Sequence, residues 1–256
     1  MKKMCLTSSL LFWCVVLAFS VLAAAQSAIP NAGLSALVQM EAAFSGGRSV
    51  DAIQLSGNAN WYSGTFEDSG SATLLASSSG MSQMQLSLGS LGQRIETQSG
   101  VGQDTMCSWS GNDNVQHSTT SGACWNAALW FMPALTLQQA SSAGTVGILD
   151  LGVGSVGSSD TSYRHLRTQL IPAVSPVPAE TVQQSTVDLG LDKHSMLPSV
   201  LSYSTPPDNG APITLSVEIR YSDYRTIDGV NIPFHIQRFV NGALQLEITI
   251  SSAQIN

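Results

Sequence analysis

Residues 213–250, ITLSVEIRYSDYRTIDGVNIPFHIQRFVNGALQLEITI, carry the reading that decides the fold. Ile213, Leu215, Val217, Ile219 and Tyr221 alternate with polar residues, as do Val230, Ile232, Phe234 and Ile236, and then Leu244, Leu246, Ile248 and Ile250. Successive side chains of a strand point to opposite faces, so each of these runs reads as a strand with one buried face. A two-residue turn at Asp228-Gly229 pairs Ile227 with Val230 and Tyr221 with Ile236, which keeps both apolar sets on one side. The same turn at Asn241-Gly242 would pair Phe239 with Leu244 and put the third set on the wrong side. The expected register therefore uses a three-residue loop, Val240-Asn241-Gly242, that pairs Ile236 with Leu246. Pro233 lacks an amide hydrogen and predicts a bulge or a weakly paired spot in the middle strand.

The pattern continues toward the N-terminus. Val187, Leu189 and Leu191 alternate into the turn Asp192-Lys193-His194-Ser195, and 197–203 resumes, so the C-terminal third is a meander of about five strands. The run 172–178 holds three prolines and reads as a loop or extended crossing. Segments 145–153 and 163–171 read as strands joined by a Gly/Ser loop. Segments 52–62, 71–77, 81–88, 94–99 and 104–109 are short strands separated by turn residues. Two helices interrupt them. In the first, Leu34, Leu37, Val38 and Phe44 recur at helical spacing and Gly46-Gly47 supplies the stop. The second spans 123–135, contains Cys124, Trp125, Leu129, Trp130, Phe131 and Met132, and is ended by Pro133. Being apolar on nearly every side, it must be buried or cover something apolar. The fold class is mainly β (α+β), an antiparallel sheet with one N-terminal helix and one apolar helix in mid-chain.

The first 25 residues have the order of a signal peptide: Lys2 and Lys3, an apolar run from Leu10 to Leu22, then Ala23, Ala24 and Ala25, with cleavage expected after Ala25. The apolar run is short of the about 20 residues a membrane span needs, and no second such run follows, so no span is expected in the mature chain. An uncleaved anchor is the alternative. Lipid attachment at Cys14 is disfavoured, because Trp13 stands where a small residue is wanted. Cleavage leaves 8 basic residues against 17 acidic, a formal charge of −9, with Lys193 as the last lysine. Such a surface repels phosphate backbones and anionic membranes, so nucleic acid is not an expected partner. The about 230 mature residues suffice for one domain, 26–256, with a sizeable core.

Cys5 and Cys14 leave with the signal, and Cys107 and Cys124 remain. In an oxidising compartment their simplest reading is a disulfide, with two buried free thiols as the alternative. Zinc fits poorly, since His117 is the sole histidine between them and the spacing matches no paired-ligand pattern. Gly152, Gly154 and Gly157 spell GxGxxG after a strand, but no helix opens afterwards to hold a pyrophosphate, so a hairpin loop is expected and no cofactor is. Neither GxSxG nor HExxH occurs, and His117, His165, His194 and His235 are dispersed, which predicts a protein that is not an enzyme. His165 and His235 read as solvent-facing strand residues. Glu67 and Asp68 are adjacent and point to opposite faces, unlike a paired acid and base. Arg220, Asp223, Tyr224 and Arg225 read as cross-strand pairs on a solvated face.

The segment 187–198, VDLGLDKHSMLP, resembles the strand, turn and Leu-Pro return of the periplasmic lipoprotein-carrier, or LolA-like, superfamily. YSDYRTIDGVNIPF at 221–234 is similar to its penultimate hairpin, and 239–250 to its last strand. The tryptophan and cysteine segment and SDYRTIDGVNIPFHI are similar to a set of exported bacterial proteins, and the chain as a whole resembles the outer-membrane lipoprotein-sorting superfamily. The resemblance implies a curved sheet, a half-open barrel with helices across its concave side, and an exported protein of the periplasm or the outside. It implies a binding or carrier role for a lipid, acyl chain or other apolar small molecule. On that reading the mid-chain helix lines or lids the concavity, Trp61 and Trp109 form walls, and Trp125, Leu129, Trp130, Phe131 and Met132 sit at the ligand. The alternative is a cell-envelope interaction module with a filled core and a protein partner.

Overall fold

A computed structural model of the chain describes residues 32–100, 105–119, 124–126, 130–171, 184–207 and 213–256. The expected signal segment and the proline run 172–178 lie outside these residues. The strands are β1 (Ala52–Ser63), β2 (Phe66–Ser77), β3 (Ser82–Leu88), β4 (Gly92–Ser99), β5 (Met106–Ser110), β6 (Gln116–Ser118), β7 (Val146–Gly154), β8 (Tyr163–Leu170), β9 (Val187–Leu191), β10 (Pro198–Thr205), β11 (Leu215–Ile227), β12 (Val230–Val240) and β13 (Ala243–Ile255). They form one antiparallel sheet in the order β6-β5-β4-β3-β2-β1-β13-β12-β11-β10-β9-β8-β7. Two meanders are thus fused where the first strand pairs with the last, Ile53 opposite Ile255 and Trp61 opposite Leu246.

The sheet is strongly curved and not closed into a barrel. Its curvature can be measured by its side chains. Strands β4 and β12 stand five places apart in the order, which in a flat sheet would separate them by about 24 Å. Yet Arg238 Nη1 on β12 lies 3.9 Å from Glu96 Oε2 on β4. The two wings therefore face each other across a concavity. Its floor is built from the inward set of every strand, including Leu55, Leu74, Leu86, Ile219, Ile236 and Ile248, all buried.

The hairpin at Asp228-Gly229 has the expected register, Ile227 opposite Val230 and Tyr221 opposite Ile236. The ladder is interrupted near Pro233, where Asp223 takes a φ of 52°. The next hairpin differs from expectation. Asn241-Gly242 is a two-residue turn with φ of 49° and 79°, the left-handed pair that matches strand twist, and Phe239 does pair with Leu244. The phase is restored by a bulge just behind it, after which Arg238 pairs with Leu246 and Ile236 with Ile248, not with Leu246. The extra residue that a three-residue loop would have held sits in the strand instead.

Helix α1 (residues 32–45) buries Ala36, Leu37, Met40 and Phe44, while Leu34 and Val38 face solvent. The buried face is rotated from the expected stripe because Gly33 brings the helix against β7: a Cβ there would lie 2.3 Å from the Ile148 carbonyl oxygen. The far end of α1 is fastened by Asn231 Nδ2, which donates to the Ala43 carbonyl at 2.7 Å. The mid-chain segment is helical at 124–126, as its apolar pattern predicts, but non-helical by Trp130, and a separate helix begins at Pro133, where a stop is expected. α2 is Pro133–Ser142, with Pro133 in its first turn, where the missing amide hydrogen costs no helix bond. Trp130, Phe131 and Met132 precede it in non-helical conformation. α2 buries Leu135, Leu137 and Ala140 and touches both β2 and β7 across the concave side.

Gly33→Ala should lower stability by about 1–3 kcal/mol, even after the helix-propensity gain of about 1 kcal/mol. Thermal melting followed by circular dichroism checks this; an unchanged or raised Tm would refute the close approach.

Candidate functional site

Cross-strand registers assemble the site. On one wing Leu74, Met84, Glu96, Trp109 and His117 stand in a continuous row across β2 to β6. On the other, Trp61, Leu246, Arg238 and Ile219 form a row across β1, β13, β12 and β11. Between the rows lies a cavity of about 480 Å³, within the range of small-molecule sites. Trp61, Met84, Trp109, Trp130, Phe131 and Tyr203 are among its apolar lining, and Arg94, Glu96, Gln98 and Arg238 among its polar lining.

The cavity is spanned by a strap. Cys107 on β5 is disulfide-bonded to Cys124, with Cα atoms 5.4 Å apart. Two residues on, buried Asn126 donates from Nδ2 to the carbonyls of Gln184 at 2.5 Å and Ser204 at 3.2 Å. Strands β5 and β10 are eight places apart in the sheet, about 38 Å if it were flat, yet a run of three residues reaches from one to the other, a span of at most about 7 Å between its end Cα atoms. The strap thus holds the two rims face to face. Further along, the buried Tyr221 hydroxyl donates to the Trp130 carbonyl, which sets the Trp130 indole against the opening.

Trp61, Trp109, Trp130 and Phe131 are brought together around the cavity. Trp125 is not: it is 1% exposed, packed in the core, and its Nε1 finds no hydrogen-bond partner among the described residues. Met132 is buried and faces a second recess of about 10 Å³ with Phe44 and Tyr224, room for one water at most. Leu129 lies outside the described residues. Sequence reading missed Arg94, Glu96, Arg238 and His117. For Arg238 the signal was present, since it continues the inward alternation Phe234, Ile236, Arg238, a charge where the pattern calls for an apolar side chain.

Arg94, Glu96 and Arg238 form a charged band along the aromatic walls, with His117 beside it. Arg94 Nε donates to Glu96 Oε1 at 2.6 Å, and its guanidinium lies 4.6 Å from the Trp109 ring centre. His117 stacks on Trp109 with centroids 4.1 Å apart. The Arg238 guanidinium lies 5.5 Å from the Trp61 ring and 5.7 Å from that of Trp130, favourable distances for a cation over an indole. Burial pushes the Glu96 carboxyl up, but the Arg238 and Arg94 guanidiniums outweigh it and hold it below the usual carboxylate range. Glu96 is therefore ionised at neutral pH.

Away from the cavity many of the polar groups pair with one another, although Arg164 Nε and Thr168 Oγ1 are buried with no hydrogen-bond partner among the described residues. The GxGxxG loop follows β7 into a turn, and its Ser158 amide and hydroxyl donate to Glu218 at 2.6 and 2.8 Å. A Cβ on Gly157 would lie 2.3 Å from that carboxylate. The anion in this loop is the protein's own. Ser222 Oγ lies 3.0 Å from His235 Nδ1, and His235 Nε2 lies 2.8 Å from Glu247 Oε1, the connectivity of a nucleophile, base and orienting acid. Ser222 stands opposite His235, and Glu247 is the diagonal neighbour of His235, opposite Gln237, on the outer face of the sheet; the three line neither cavity, so the contact is a cross-strand polar cluster. His165 is half-buried there too, 2.8 Å from Asp188. Arg220 pairs with Glu218 and Arg225 with Asp223, both at 2.7 Å, whereas Tyr224 turns inward and donates to the Pro198 carbonyl at 2.7 Å. No group of three metal-ligating side chains occurs among the described residues.

No family model and no curated protein matches the sequence. Solved structures do match in shape. A LolA superfamily protein from Nitrosomonas europaea aligns with a TM-score of 0.55 at 14% identity, over 88% of this chain and 93% of that one. A DUF1329 family protein from Desulfovibrio piger gives 0.58 at 10% identity, over 89% and 93%. An outer membrane lipoprotein-sorting protein domain from Vibrio parahaemolyticus gives 0.55 at 10% identity, over 89% and 93%. The chain has a LolA-like fold.

Two measurements test the site's framework. Replacing Cys107 and Cys124 together by serine should cost about 3 kcal/mol, the loop-entropy value for this separation, read as a lower denaturant midpoint. Acid should destabilise the protein through Asp188. Burial raises that carboxyl, but Arg167 and His165 outweigh it, so its folded value lies below the ordinary one. The stability it contributes is present above about pH 4 and is lost as pH falls through the folded value. Asp188→Asn should lower Tm at pH 7 and flatten its decline below pH 4.

Proposed function

We propose that this is an exported, non-enzymatic binding or carrier protein that holds a lipid, acyl chain or other apolar ligand on the concave side of its sheet. The observation that carries this reading is the cavity of about 480 Å³ walled by Trp61, Trp109, Trp130 and Phe131. Large indole faces in a partly covered recess gain by excluding water, and an alkyl chain laid along them gains about 0.8 kcal/mol for each methylene it buries. Residues 26–256 act as one domain on this reading, because the first and last strands pair and both wings share one concavity. Export follows from the signal order at 1–25, and the Cys107–Cys124 bond suits an oxidising compartment. The outer membrane lipoprotein-sorting name of one structural neighbour agrees with this function. A partner from the cell envelope that loads or receives the ligand fits the same role. A purely structural module calls for a filled core, and the cavity weighs against it.

Native mass spectrometry of protein purified from its own compartment should detect an added mass of lipid size. In a displacement titration with a fluorescent fatty acid, Trp130→Ala should weaken binding by about tenfold, as loss of a large aromatic contact does. A wild-type protein with neither added mass nor fatty-acid uptake would exclude the carrier role.

A further inference from the structure

Arg238 differs from the other arginines of the sheet in lacking a close ion pair; Arg164 shares its unmet buried Nε but is held by Asp150 through Nη2. Arg167 pairs with Asp188 at 2.8 Å, Arg220 with Glu218 at 2.7 Å and Arg225 with Asp223 at 2.7 Å. Arg94 holds Glu96 at 2.6 Å. Arg238 has only the second oxygen of that same carboxylate, at 3.9 Å, beyond hydrogen-bond reach. Its Nε is shut off from solvent and has no hydrogen-bond partner among the described residues. The side chain is nevertheless 12% exposed, faces the cavity and stands between the Trp61 and Trp130 rings. A guanidinium withdrawn from water with donors unmet is costly unless an acceptor arrives.

We infer that Arg238 is the head-group site of the cavity, receiving the carboxylate of an amphiphile whose chain lies along the tryptophan wall. The inference rests on the ligand-carrier reading above and names its substrate class. Guanidinium presents parallel N–H donors in a fixed fork that a carboxylate matches with two bonds. The Trp61 and Trp130 rings flank that fork, with their centres 5.5 and 5.7 Å from the guanidinium carbon. Charge decides between head groups. Glu96, the one acidic side chain lining the cavity among the described residues, is 3.9 Å from Arg238, so a second unit of negative charge on the ligand would meet direct repulsion. A single-charged carboxylate fits, and a doubly charged phosphate monoester does not. Neutral lipids would fill the apolar part and leave the Arg238 donors unmet.

The test uses delipidated protein, palmitate and methyl palmitate, with binding read from the fluorescence of the wall tryptophans. Wild type should bind palmitate about 10- to 100-fold more tightly than its ester, the range for hydrogen bonds to a charged group. Arg238→Met keeps the apolar length of the side chain and should abolish the preference, acid and ester then binding alike within about twofold. Equal binding of acid and ester by wild type would overturn the head-group assignment and leave the carrier reading standing. Binding of neither would overturn both. A preference that survives in Arg238→Met would place the carboxylate elsewhere and overturn the assignment. The acid-to-ester comparison in wild type needs no variant, so it decides the matter even if Arg238→Met does not fold.

Discussion

The structure depends on the two rims of the sheet being kept face to face. A thirteen-stranded antiparallel sheet in which β13 pairs with β1 has no covalent reason to roll up, and twist alone leaves an open saddle. Here residues 124–126 fasten β5 to β10 by one disulfide and one buried amide, and α2 crosses between β2 and β7. Everything on the concave side follows from that closure. Trp61 and Trp109 belong to strands four places apart in the sheet, and they share a cavity because the sheet between them bends.

Curvature also explains how charge can line an inner wall. The row Leu74, Met84, Glu96, Trp109 changes from aliphatic to charged and aromatic toward the β6 edge, where a meander leaves its core and approaches solvent. On a flat sheet Glu96 and Arg94 would be an ordinary surface pair worth a fraction of a kcal/mol. Rolled up, the same residues confront Arg238 and two indoles in a recess, where fields are less screened and a charge acts over the whole cavity. The aromatic and charged features of the site are thus products of one geometric fact, and neither could be assembled from local sequence alone.

What the sequence reveals follows the range of the interactions. The alternation in 213–250 identifies β11, β12 and β13 and their common inner face, because a strand's burial pattern is local and has period two. The turn at Asn241-Gly242 was misjudged by a single residue: a bulge repairs phase at no distance from the turn, and alternation cannot tell loop residue from bulge residue. The sequence reads Pro133 as a stop, and in the fold it is a start, because proline is excluded from a helix interior yet suits its first turn, so one residue can end one helix or open the next. Four of the expected aromatic residues meet at the cavity, but Trp125 does not. In an all-apolar segment, hydrophobicity says that every residue avoids water and nothing about which one faces a ligand. Arg94 and Glu96 were invisible for the opposite reason, because a polar strand near an edge looks the same whether its wall is open or folded over.

The two anion-related features of the chain show how function can be separated from framework. The GxGxxG run has the glycines of an anion cradle, but Gly152 and Gly154 belong to β7, and the Ser158 amide and hydroxyl just after it already hold Glu218. A need met within the chain is part of the fold: it fastens β11 to the β7–β8 connection and asks for nothing from outside. Arg238 presents the converse case. Its nearest carboxylate is committed to Arg94, its Nε has no acceptor, and no neighbouring wall residue supplies one, although Gln98 and Tyr203 line the same cavity. Folded proteins leave few buried polar groups unmet, so the place where one persists beside an unfilled volume is where the chain's own packing stops accounting for the sequence. By that criterion the polar pairs of the outer face belong to stability, and the band between Trp61 and Trp130 belongs to recognition.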